Sequence, residues 1–82
     1  MQASDICITA ADLVIGARED QHGNKTENFT NIAKLIGAYL DIESSAVDVA
    51  MIMVLVKMAR TKTGDFNIDD FIDMVGYAAC GA

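Results

Sequence analysis

From Val49 to Val56 the chain sets eight apolar side chains in succession, Val-Ala-Met-Ile-Met-Val-Leu-Val, with no polar residue among them. Wound into a helix, this run has no polar face for two turns, and a helix that is apolar all round has to be covered all round. It falls far short of the ~20 residues that cross a bilayer, so its cover is expected to be protein. With 82 residues in all, the chain has room for a single helical domain, residues 1–82. Three further helices of that size hardly enclose the run. Burying side chains such as Met51, Ile52 and Val54 contributes ~1.5–3 kcal/mol each, so assembly into a homo-oligomer, a dimer or tetramer, is expected.

The rest of the chain reads as three more helices joined by short polar segments. The first is expected from about Asp5 to Asp20, with Ser4 as its N-cap and Ile6, Ala10, Leu13, Val14 and Ala17 forming an apolar stripe. Thr26 is placed to cap the second, which runs to about Leu40. Phe29, Ile32, Ala33, Ile36 and Leu40 share one face there, and Tyr39 falls at its edge. Ser45-Ala46-Val47-Asp48 has the pattern of a capping box at the head of the third helix, which extends to about Lys62. Asn67 is suited to cap a fourth helix with Ile68, Phe71, Ile72, Val75 and Ala79 as its stripe, and Gly76 allows a neighbour to approach. The fold class is therefore all-α, a small four-helix bundle.

Charge and cysteine content narrow the functional classes. Six basic against twelve acidic residues give a formal charge of −6, which argues against non-specific binding to duplex nucleic acid or to an anionic membrane. A small phosphorylated ligand needs only two or three well-placed cations and stays compatible. Two cysteines, Cys7 and Cys80, are too few for a disulfide scaffold, and reduced thiols in the cytosol are expected. No signal peptide is visible, in keeping with a cytoplasmic protein.

Several side chains have the chemistry of a site. Asp69, Asp70 and Asp73 share one face of the fourth helix, where their mutual repulsion favours a divalent cation or a basic partner. Oxygen ligands of this kind suit Mg²⁺, although aspartates also simply favour a first helical turn. Lys57 is the first charge after the apolar run. It reads either as a snorkelling side chain or, with Arg60, as a phosphate-binding cation. Asp48 fits its capping role. The joint with His22, Gly23 and Lys25, leading to Glu27 and Asn28, combines a Gly-containing loop with a helix N-terminus, a setting suited to anions. Glu27 is alternatively a metal ligand, and a solvated turn is the plainer reading of the whole joint. No Ser/His/Asp or Cys/His arrangement, P-loop or zinc spacing occurs.

The His22-Gly23 turn, Glu27-Asn28-Phe29 with Ile32-Ala33, Asp48 to Met53 leading to Lys57-Met58-Ala59-Arg60, and Asp69 to Asp73 followed by Gly76-Tyr77-Ala78 together resemble a family of small, uncharacterised phage proteins. The likeness covers about Asp12 to Gly81. Those proteins in turn look distantly similar to the all-α nucleoside triphosphate pyrophosphohydrolases, the MazG-like superfamily. That resemblance implies an oligomeric bundle with nucleotide sites between helices, in the cytoplasm of an infected bacterium. Asp70-x-x-Asp73 matches the later of the superfamily's two acidic pairs, with Asp in place of Glu. The earlier pair has no counterpart, since no acidic residues stand three apart between Thr26 and Lys57.

Three functions are compatible with these residues. The first is a non-catalytic nucleotide binder that sequesters a nucleotide or cyclic-nucleotide signal of host antiviral defence. In it Arg18, Lys25, Lys57 and Arg60 contact phosphate, Tyr39 or Tyr77 stacks on a base, and Asn28 and Asp73 complete the polar contacts. The second is a Mg²⁺-dependent (d)NTP pyrophosphohydrolase with Glu27, Asp69, Asp70 and Asp73 about the metal. The third is an acidic module that docks on a host protein.

Overall fold

The structure, a computed structural model, describes residues 1–15 and 25–82, Lys25 by its backbone alone. It is all-α over these residues: α1 (Ala3–Ile15), α2 (Lys25–Leu40), α3 (Ala46–Arg60) and α4 (Ile68–Gly81).

Local chemistry sets most helix ends. α1 begins before Ser4, because the Asp5 carboxylate accepts the Gln2 N–H at 2.9 Å and closes the first turn from inside. Ser4 is thus in the helix rather than its cap. The extension of this helix expected to Asp20, and the joint containing His22 and Gly23, lie outside the described residues. α2 starts one residue ahead of Thr26. At the head of α3 the expected capping box is present: Asp48 N–H donates to Ser45 Oγ at 3.2 Å and Ser45 N–H to Asp48 Oδ2 at 2.8 Å. α3 stops at Arg60, short of Lys62, where the Thr61 N–H and hydroxyl both turn back on the Met58 carbonyl, at 3.1 and 2.6 Å. Asn67 caps α4, its Oδ1 accepting from Asp69 N–H at 3.0 Å.

The exit from α2 is a Schellman turn: Ile42 N–H donates to the Gly37 carbonyl at 3.0 Å while Asp41 takes φ 55°. The left-handed region costs a residue with a Cβ about 1–2 kcal/mol, part of which glycine returns as unfolded-state entropy. Asp41→Gly is expected to stabilise the chain by about 0.5–1 kcal/mol, read as a higher urea midpoint with an unchanged m-value.

Contacts run from α1 to α4, from α4 to α3 and from α3 to α2, with α3 and α4 the most extensively packed pair. Phe29 of α2 also reaches Tyr77 of α4, ring centroids 6.3 Å apart. Holding the middle place, α4 has two inner faces, and its stripe is accordingly not the one read from the sequence. Ile72 is buried, whereas Phe71, Val75 and Ala79 turn out to solvent, and Asp70 is only 7% exposed. Gly76 faces α1, where an added Cβ would meet Val14 Cγ2 at 3.7 Å, ordinary contact, so no closeness there demands glycine. The tight approach is at Gly81, whose added Cβ would lie 3.0 Å from Ala50 Cβ on α3. Leu13 and Leu40, expected inside, are exposed, and Tyr39 stands clear of its helix edge at 88% exposure.

The apolar core is slight: among the described residues its buried members are Ala10, Ala33, Val49, Ala50 and Ile72. The radius of gyration is 13.6 Å, where a compact chain of this length has about 12 Å. Accessible surface amounts to 5889 Å², against about 4800 Å² for a folded monomer of this mass.

Candidate functional site

The unusual surface belongs to α3. Val49 and Ala50 point into the protomer and Met53, Val54 and Lys57 are half-buried. With 3.6 residues per turn, the spacing 4-4-3 puts Val47, Met51, Leu55 and Met58 in one row along the opposite side. They are 53%, 42%, 59% and 49% exposed. Ile52, Val56 and Ala59 form a second exposed row beside it. Asp48 is the one charge on this half of the helix, and its carboxylate is already engaged by Ser45. A protomer thus buries one half of its most apolar helix and shows the other to solvent. Between Val49 and Val56 no polar residue distinguishes the halves. A usable signal was the size of Ala50, the one small side chain inside the run, because that is where Gly81 packs.

On the inner side, Lys57 Nζ lies 2.8 Å from Asp73 Oδ2, with the two side chains 13% and 22% exposed. Two of the residues proposed to meet a nucleotide therefore meet each other, joining α3 to α4. Asp70 precedes Asp73 by one turn on the same face of α4, and Tyr77 follows it by one turn, half-buried against Phe29. Asp69 is exposed, its backbone held by Asn67. Arg60 is exposed at the end of α3, and Asn28 and Tyr39 are exposed on α2. No side-chain hydrogen bond or ion pair among the described residues ties these three to the Lys57–Asp73 pair. Glu27 is in the first turn of α2. Arg18 and the side chain of Lys25 lie outside the described residues.

The acidic residues fit a metal poorly. Among the described residues no three His, Cys, Asp or Glu side chains are grouped to hold an ion, and Asp73 already has an ammonium partner. A separate cleft of about 500 Å³ opens where helix ends meet, between Val14 and Ile15 of α1, Phe29 of α2, Val47 of α3 and Cys80 of α4. Among the described residues its lining includes none of the candidates. Cys7 is exposed and Cys80 half-buried, and neither is bridged. Among the described residues no helix is long and apolar enough to cross a membrane.

A family model described as a domain of unknown function (DUF6378) matches residues 5–82. The gene 55 protein of Mycobacterium phage D29 is 45% identical over 71 residues, 87% of this chain and 47% of that protein. The gene 55 protein of Mycobacterium phage L5 is 38% identical over 74 residues, 89% of this chain and 47% of that protein. The chain thus spans about half the length of these curated relatives. No solved structure matches it.

Proposed function

This chain belongs to the DUF6378 family, which has relatives in mycobacteriophages, and on that premise we propose that it is a protein-interaction module that docks through the outward half of α3. The observation that carries the reading is the paired apolar rows on that half, Val47–Met51–Leu55–Met58 and Ile52–Val56. Soluble proteins seldom leave such a contiguous strip to water unless something covers it, and a helix face with anchors at i, i+4, i+8 and i+11 is a common form of recognition surface. The side chains with polar chemistry support it from the other direction, since Lys57 and Asp73 are spent on joining two helices.

A photo-cross-linking amino acid tests this reading. Placed at Leu55 in infected cells, it is expected to give a discrete protein adduct. Placed at Lys34, on the exposed side of α2, it is expected to give none. Equal labelling at the two positions, or none at either, would remove the reading.

The MazG-like resemblance leaves a second reading, a nucleotide or cyclic nucleotide bound without hydrolysis. Calorimetry against a nucleotide panel, with the ligand recovered intact, tests it. Pyrophosphate release that Asp73→Ala abolishes would instead favour the pyrophosphohydrolase.

A further inference from the structure

Resting on the interaction-module reading, we infer that the outward face of α3 is covered by a second copy of this chain, its α3 lying antiparallel across the first about a two-fold axis near Met53. The patch is continuous: Val47, Met51, Leu55 and Met58 are 53%, 42%, 59% and 49% exposed, with Ile52 and Val56 beside them at 37% and 39%, an apolar strip of the kind that calls for a partner. A two-fold contact also requires a patch complementary to itself. Reversing the row Val47–Met51–Leu55–Met58 about Met53 sets Met51 against the other copy's Leu55, and Val47 opposite its Ala59.

Charge selects this direction. The N-terminal end of α3 is acidic, with Glu43 just before it and Asp48 in its first turn, and the C-terminal end is basic, with Arg60 and then Lys62. Antiparallel copies bring each acidic end to a basic one and oppose the two helix dipoles. A parallel pair would set like charges side by side, an added penalty for a chain that carries −6 overall.

Sedimentation velocity on the full chain tests the inference. At tens of micromolar the wild type is expected to sediment with twice the 8.8 kDa chain mass. Leu55→Glu, which enters the contact twice, is expected to raise the dissociation constant about 100-fold or more with helicity unchanged by circular dichroism. Leu35→Glu, at a position 71% exposed against 59% for Leu55 but on α2, should leave the dimer intact. Lys62→Glu is expected to weaken it several-fold, and Glu43→Lys in the same chain to restore it, because the two positions meet across the axis. A helical wild-type monomer, or a dimer indifferent to Leu55→Glu, overturns the inference, and failure of the Glu43→Lys rescue overturns its antiparallel form. The interaction-module reading fails separately: a monomer that still cross-links through Leu55 to a different protein retains that reading, and one that cross-links to nothing loses both.

Discussion

Gly37→Ala is expected to lower stability by about 2–3 kcal/mol, although in an ordinary exposed helix the same change raises it by ~1 kcal/mol. The reason is local. A Cβ on Gly37 would lie 2.7 Å from the carbonyl oxygen of Ile42, a backbone atom that cannot swing away as a side chain would. Relief requires opening the turn, which breaks the Ile42 N–H to Gly37 hydrogen bond and shifts the segment leading to the α3 capping box. Overpacking of this kind costs about 1–3 kcal/mol and the lost hydrogen bond about 1 more, offset in part by alanine's helix propensity. For a domain of this size the thermal midpoint should drop by roughly 12–17 °C. A midpoint that rises would mean that the turn relaxes freely and that α2 and α3 are less firmly joined than their geometry indicates.

Lys57→Met is expected to cost about 3 kcal/mol, the scale for removing one partner of a largely buried ion pair. The loss comes less from the missing contact than from what remains: the Asp73 carboxylate stripped of its ammonium, one helical turn from Asp70. Lys57→Met with Asp73→Leu should recover most of that loss, since a packed apolar pair often matches a buried ionic one. Chemical denaturation of the wild type, both single variants and the double variant gives the coupling directly, expected at about 2 kcal/mol or more. Additive effects would show that the two groups are solvated separately, and Lys57 would again be available to a ligand.

How far the sequence carries can be judged at particular residues. The capping box at Ser45 and the Asn67 cap were legible because each depends on a few adjacent residues with one good arrangement. The apolar run marked α3 as the central problem, and its half-bare state agrees with the idea that one protomer cannot enclose it. What periodicity could not supply was rotation. α4 packs against two helices rather than one, so Asp70, Asp73 and Tyr77 turn inward while Phe71 and Val75 face solvent. A stripe drawn from hydrophobicity alone assumes a single inner face. The Lys57–Asp73 pair was hidden for the same reason: the two residues are sixteen apart, and only the register of α3 on α4 brings them together. The likeness to phage proteins was legible at the family level, where the family match spans residues 5–82 and the relatives are phage proteins.

The packing of α1 on α4 sets an order of events during synthesis. The helix that carries Gly76, the neighbour of Val14 in the folded chain, is translated about 60 residues after Val14, a wait of several seconds at ~5–20 residues per second. Until then α1 has no surface to settle on, whereas α2 and α3 can already pair. α1 therefore cannot dock before α4 is made, and a nascent chain stalled before Gly76 would present α1 undocked to chaperones and proteases.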